Sequence, residues 1–327
     1  MLTELVVILQ SSLSILHKQD IQTAAETLGQ YAQGSGAPIR IGDDCAAIAD
    51  GDGYLLLAAE GIWPQLVSQE PWFAGWCSVM VNVSDVAAMG GVPIAVVDAL
   101  WSTSVEESEP LWAGMKAAAK AYGVPIVGGH TNCHSPYAGL AVSILGRAQR
   151  LITSFDARPG DVLVMVVNMA GEYYGDYPFW NAATEAEAGR LRSHIALLPQ
   201  LAESDLVNAG KDISMGGLAG TLLMLAEASG CGAVLDLERV FCPPNVPWEK
   251  WLTSFPSFGF LFSVPAECVV GVQSIFRGEG LVCEAVGEMI SEQSVYLQAG
   301  GDQQQLWRFS DALTGFGEAS SDSYAVS

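Results

Sequence analysis

The stretch from Trp72 to Gly91 constrains this chain more than any other part of it. Trp72, Phe73, Trp76, Val79, Met80, Val81, Val83 and Val86 leave little of a helix here to face water, so the segment must be buried on nearly every side. Asn82 and Asp85 nevertheless stand inside it, three residues apart and hence on one helical face. A buried carboxylate is costly unless it is paired or holds a metal. The pair is therefore either a satisfied structural acid or helix cap, or one wall of a site.

At 327 residues the chain is long enough for about two domains with separate cores, and half of its residues are hydrophobic, as in a globular protein. Thirty-six acidic residues against 14 basic ones give a net charge of −22. That balance excludes a nucleic-acid-binding face, which needs a basic surface. Phosphates could still bind, with a divalent cation between the two sets of negative charge. Most of the acids read as solvated surface. The seven cysteines show no C-x-x-C spacing and their number is odd, which points to reduced thiols and a cytoplasmic protein. The N-terminal Leu5-Val6-Val7-Ile8-Leu9 lacks a basic flank and reads as an amphipathic helix rather than a signal peptide. No run reaches the ~18–20 apolar residues of a membrane span.

Hydrophobic periodicity predicts an α/β chain. Residues 3–33 read as helical, 54–59 as a strand that delivers Glu60, and 93–100 as the strand after the buried helix. A helix at 105–122, a brief strand at 124–127 and a strand at 140–145 complete the first half. The turn cluster Arg158-Pro159-Gly160-Asp161 marks the boundary between domains 1–155 and 156–315, with a flexible tail at 316–327. The second half reads as a strand at 162–167, helices at 184–197, 200–209 and 216–229, strands at 233–237, 260–264 and 281–286, and a helix at 265–277.

Acids recur where elements end: Asp43-Asp44, Glu60, Asp85 and Asp212. Gathered together, they would suit magnesium bridging to a polyphosphate. Taken singly, Asp43 or Asp44 fits an Asx-turn or cap, and Asp212 an N-cap for the helix at 216–229. Gly128-Gly129 would let backbone amides approach an anion, and Gly216-Gly217 opens a helix whose N-terminus favours negative charge. Either pair also fits a plain tight turn. His130 and His134 lack the further ligands a zinc site needs.

In chain order these segments resemble the aminoimidazole ribonucleotide (AIR) synthetase superfamily. That group also includes selenophosphate synthetase, thiamine-monophosphate kinase, formylglycinamidine ribonucleotide synthetase and the carbamoyl-dehydrating hydrogenase maturation factor. Ile41-Gly42-Asp43-Asp44-Cys45-Ala46 resembles its acidic loop, and Asn82-Val83-Ser84-Asp85-Val86-Ala87-Ala88-Met89-Gly90 its N-x-SD-x-x-AMG helix. Val127-Gly128-Gly129-His130 is similar to its glycine-pair turn, and Asp212-Ile213-Ser214-Met215-Gly216-Gly217-Leu218 to its D-x-S-x-GGL element.

The resemblance implies a two-domain fold, with an N-terminal α/β domain that dimerises and binds ATP and a C-terminal α/β domain beside it. It implies a homodimer that uses Mg2+ and ATP to phosphorylate or activate a small acceptor. Asp43, Asp44, Glu60, Asp85 and Asp212 would hold metal, while Asn82, Gly128, Gly129 and His130 join Asp43, Asp44 and Asp85 around the nucleotide. Glu60 departs from the family's usual aspartate by one methylene, and residues 1–33 lack the cysteine of selenophosphate synthetase. The aromatic run 168–180 reads either as an acceptor pocket, with Glu172 or Asp176 as a base, or as an aromatic loop packed on the domain surface, and Lys211 is a further catalytic candidate. A nucleotide-binding module without chemistry, serving as partner of another enzyme, is the alternative.

Overall fold

Pro71 at the first helical position opens the helix Pro71–Ala88, fifteen of whose residues are buried. The computed structural model describes residues 2–28 and 39–316. It divides into two compact units, one comprising Asp44–Leu151 and Ala183–Glu203, the other Met1–Asp43, Ile152–Ala182 and Ser204–Ser327.

In the unit holding Pro71–Ala88, the strands are β1 (Ala46–Asp50), β2 (Gly53–Gly61), β3 (Val92–Trp101), β4 (Ile126–Asn132) and β5 (Gly139–Ala148). They form one sheet in the order β1-β2-β5-β3-β4, antiparallel except for the parallel pair β3 and β4. Leu140, Val142, Ile144 and Ala148 alternate with more exposed neighbours along β5, so one face of the sheet is the core face. Against helix 71–88 packs the helix Val105–Tyr122, capped by Ser104, which accepts from the Glu107 amide at 3.2 Å, and ended by left-handed Gly123. The two helices meet at Gly75 and Gly114. A Cβ on Gly114 would fall 1.9 Å from the Trp72 carbonyl oxygen, and one on Gly75 2.1 Å from that of Leu111.

The other unit carries β6 (Val162–Val167), β7 (Glu172–Tyr173), β8 (Phe179–Asn181), β9 (Ala209–Asp212), β10 (Gly232–Asp236), β11 (Phe255–Pro256), β12 (Gly259–Val264), β13 (Val282–Ile290), β14 (Ser294–Ala299) and β15 (Asp302–Arg308). Its main sheet has seven strands in the order β15-β14-β10-β13-β6-β12-β9, and β11-β8-β7 form a smaller one. β6 is apolar throughout and β12 is apolar but for Ser263, because both of their faces are covered. The Phe262 ring stacks on Phe276 of the helix Val269–Arg277, 6.0 Å between centroids. Eleven of the twelve residues of the helix Gly217–Ala228 are buried. Asp161, buried just before β6, accepts from the Arg158 amide at 3.0 Å, the Asn208 amide group at 2.9 and 3.0 Å and the Ser263 hydroxyl at 2.7 Å, so it is a satisfied structural acid.

Several elements differ from the sequence reading. The N-terminal helix breaks after Gln10, where the Ser11 hydroxyl bonds back to the Val7 and Ile8 carbonyls, and resumes as Leu13–Leu16 and Asp20–Leu28. Its expected end at 29–33 lies outside the described residues, as does the tail 317–327. The brief strand at 124–127 becomes β4 and runs to Asn132, because β3 supplies parallel backbone partners all along it. Gly128-Gly129-His130 is therefore strand rather than turn. The helix expected at 200–209 spans Leu197–Glu203 and ends before left-handed Asp205, while Ala209 opens β9 against β12. Among the described residues no helix is long and apolar enough to cross a membrane.

Gly114→Ala forces the two central helices apart and is expected to destabilise the protein by roughly 1–3 kcal/mol, the range for overpacked sites. An unchanged thermal or urea midpoint would contradict this account of the crossing.

Candidate functional site

Asn82 and Asp85 sit in the middle of helix 71–88, fully buried and 6% exposed respectively, so neither is a cap. The Asn82 amide nitrogen donates to the Ser78 carbonyl at 2.8 Å, which fixes the orientation of the group. Its Oδ1 is then buried with no hydrogen-bond partner among the described residues. One turn beyond Asp85, the Met89 sulfur accepts the Cys45 amide at 3.1 Å. That contact ties the acidic loop to the end of the helix. Carboxylate oxygens of Asp44 and Asp85 come within 4.8 Å of one another.

A second feature of this unit lies on the sheet. Glu60 of β2 is opposite Val142, Val142 is opposite Asp98 of β3, and Asp98 is in register with Gly129 of β4. Val142 is fully buried, so this row faces the helices. Asp98 was not among the residues singled out from sequence. Its Oδ2 is buried without a partner among the described residues, and a Cβ on Gly129 would lie 2.3 Å from its Oδ1. Burial pushes the Asp98 carboxyl above the usual carboxylate range, partly offset by a backbone hydrogen bond. The sequence did hold a signal: Asp98 shares the alternation of Val96 and Leu100, the core-facing residues of β3. His130 pairs with Ala99 on the opposite side of the sheet, exposed, with its ring 6.2 Å from that of Trp101.

In the other unit, Asp43 accepts from the Ser154 amide at 2.9 Å on one oxygen and from the Ser154 hydroxyl on the other. Asp212 ends β9 and is 3% exposed, beside the equally buried Lys211. The N-cap of helix 217–228 is Gly216, so the cap reading of Asp212 does not hold. The Asp212 carbonyl accepts the Thr221 hydroxyl at 3.1 Å, and the Ile213 amide donates to Gly259 at 2.9 Å, which secures the turn between strand and helix. Gly216 supplies no side chain to cap the first helical amides, which leaves a positive helix end. Lys18 Nζ stands 3.5 Å from the Ser214 hydroxyl in the same turn.

The aromatic run folds into β7 and β8. Tyr177 stacks on Phe179, Trp180 meets Trp251 edge-on, and Lys250 lies 3.9 Å over the Tyr173 ring. Phe179 and Trp180 are buried, while Glu172 and Asp176 are exposed.

Residues 42–148 match the family model described as AIR synthase related protein, N-terminal domain, and residues 158–300 match that of its C-terminal domain. An uncharacterized protein of Synechocystis is 55% identical over 97% of this chain and 99% of its own length. The thiamine-monophosphate kinase of Pyrococcus horikoshii is 29% identical over 77% of this chain and 86% of the kinase. Among solved structures, T. maritima PurL complexed with ADP superposes with a TM-score of 0.73 at 18% identity, over 94% of this chain. The chain spans about half of that PurL, 52% of its length, and the likeness establishes a shared two-domain α/β fold.

With its folded-state pKa raised, Asp98 makes the fold most stable where it is protonated. That contribution is lost as pH rises from the unfolded carboxylate value through the folded one. Asp98→Asn is therefore expected to melt higher than the parent at pH 7, with the gap closing as pH falls through the carboxylate range. A gap that stays constant or widens toward low pH would refute the desolvation account.

Proposed function

The chain belongs to the AIR synthase related protein family, and from that membership we propose that it uses Mg-ATP to transfer a phosphoryl group to a small-molecule acceptor. The approach of Asp44 and Asp85 carries this reading. Two carboxylates at that separation offer oxygens from both sides to one divalent cation. The donors are all oxygen, which suits magnesium rather than a soft metal, and magnesium commonly bridges carboxylates to nucleotide phosphates. A relative that is a thiamine-monophosphate kinase and a neighbour complexed with ADP agree with this choice.

In this reading Asp44 and Asp85 are the principal ligands, and the same role is proposed for Asp212 and for Glu60 with its longer reach. Asp43, held by Ser154, is proposed as a further ligand. Asn82 Oδ1, without a partner among the described residues, is an acceptor. Its natural partner is a water on the cation or a nucleotide hydroxyl or amino group, since a bare phosphate oxygen offers no proton. The glycine-opened end of helix 217–228 and the strand Gly128-Gly129 are proposed to receive phosphate oxygens. The cation supplies charge neutralisation, and the protein supplies position, which is most of what phosphoryl transfer requires. Exposed Glu172 and Asp176 are proposed as bases toward the acceptor, and Lys211 as a charge partner of the phosphates.

A homodimer fits the open face of the five-stranded sheet. Ile48, Leu57, Val97 and Leu145 present side chains there that are 36, 48, 42 and 37% exposed, an apolar surface suited to a second copy. His130 lies on the same face, so a residue of the proposed nucleotide site stands at the proposed subunit boundary.

Asp85→Asn is expected to lower Mg-ATP affinity in calorimetry by roughly tenfold or more, while the ligand-free protein keeps close to the parent melting temperature. A structural acid would behave oppositely, with a lower melting point and unchanged nucleotide affinity, and that pattern would sink the assignment. ADP release from Mg-ATP with candidate acceptors then separates an enzyme from a binding module. For the assembly, Val97→Glu is expected to convert a dimer into a folded monomer in size-exclusion chromatography with light scattering. A parent protein that is already monomeric, or a variant that stays dimeric, would exclude this face as the interface.

A further inference from the structure

The segment Ala312–Phe316 is bound to the body of its unit by a buried acid. Glu227, on helix 217–228 and 4% exposed, accepts from the Leu313 amide at 2.6 Å, the Thr314 amide at 2.7 Å and the Thr314 hydroxyl. The Gly315 amide approaches the same carboxylate at 3.4 Å. Gln22, on the helix Asp20–Leu28, donates to the carbonyls of Ala312 and Leu313 at 2.7 and 2.9 Å. Leu313 and Thr314 are buried. So much ordered hydrogen bonding at a chain segment beyond the last strand serves something other than sheet formation.

What the segment reaches is the acidic loop. The Phe316 ring lies against Gly42, where a Cβ would fall 2.5 Å from two ring carbons and where φ is +106°. Glycine is thus required at 42 on two counts, backbone conformation and the ring above it. On either side of that contact, Arg40 lies 3.9 Å over the Phe155 ring, and Ser154 holds both oxygens of Asp43. Residues 40–43 are therefore fixed by two neighbours from 154–155 and by Phe316. The loop is also fastened to helix 20–28, since Gln22 and Gly42 touch the same strap.

We propose that Ala312–Phe316 is a positioning strap, which presses Phe316 onto Gly42 and so sets the course of the loop that carries Asp43 and Asp44. This rests on the Mg-nucleotide reading of those acids. Glu227 and Phe316 are positioning residues, and neither needs to meet the nucleotide. A loop held in place before binding loses less freedom when the ligand arrives, so the strap acts on affinity.

The test uses the full chain with Phe316→Ala, Phe316→Tyr and Glu227→Gln, with two readouts. The first is the alkylation rate of Cys45, which is 3% exposed and two residues beyond Asp43, followed by peptide mass spectrometry. The second is Mg-ATP affinity by calorimetry. Phe316→Ala and Glu227→Gln are expected to speed Cys45 alkylation by about tenfold and to weaken Mg-ATP by a similar factor, and Phe316→Tyr, which keeps the ring, to restore both. Unchanged Cys45 reactivity in both loosened variants overturns the strap. Faster alkylation with unchanged Mg-ATP affinity overturns its role toward the site. A parent protein that binds no Mg-ATP defeats the nucleotide reading and with it the strap's purpose, while the alkylation rates still show whether the mechanical link exists.

Discussion

The close approach of two carboxylates, Asp44 and Asp85, is the constraint to which the rest of the site answers. The protein contains its own control for what an ordinary buried acid looks like. Asp161 is as buried as Asp85, yet its two oxygens collect hydrogen bonds from Arg158, Asn208 and Ser263. Glu227 is likewise surrounded by amides and a hydroxyl. Asp85 has a carboxylate oxygen of Asp44 within 4.8 Å, and one turn away Asn82 Oδ1 has no donor among the described residues. In the proposed reading a cation joins the two.

Holding that arrangement requires a support that cannot relax. Helix 71–88 gains its rigidity from the Gly75–Gly114 crossing, where backbone meets backbone with no side chain between. Asp85, the first of the two proposed ligands, therefore sits on one of the least adjustable elements of its unit. The other, Asp44, comes from a loop, and loops need fastening. The Cys45 amide on the Met89 sulfur supplies one fastening, and the Ser154 contacts to Asp43 another. If the proposed roles hold, a rigid acid and a secured one form a preorganised pair, as stabilisation of a charged ligand demands.

Much of this was legible in the chain itself. The apolar run around Asn82 and Asp85 announced a buried helix with polar groups in the wrong place, and Leu111, Met115 and Ala118 declared the helix that packs on it. The misread parts share one cause: their structure is set by partners distant in sequence. Gly128-Gly129-His130 looks like a turn because two glycines weaken any local preference, yet β3 makes it a strand. Ala209–Asp212 is too short to show an alternation of its own and is buried throughout because β12 pairs with it. The strap is invisible in sequence for the same reason. Nothing near Phe316 says that Gly42 lies beneath it, and a Ser-, Gly- and acid-rich terminus reads as a free tail. Asp98 was available, but an acid amid valines draws notice only when strand parity is followed residue by residue.

The overall charge narrows the chemistry further. With 36 acids and 14 bases, the chain has few cations to spare for an anionic substrate, and the buried Lys211 beside Asp212 adds little free positive charge. A polyphosphate approaching such a surface meets repulsion at long range, screened only beyond about 8–10 Å at physiological salt. On the proposed reading, metal-bound nucleotide would arrive with much of that charge already neutralised, and the acidic surface would favour it over the free anion. Acidic composition and an all-oxygen pair of carboxylates thus support the same proposal. In that reading the cation arrives with the substrate, and the carboxylate pair is where it fits.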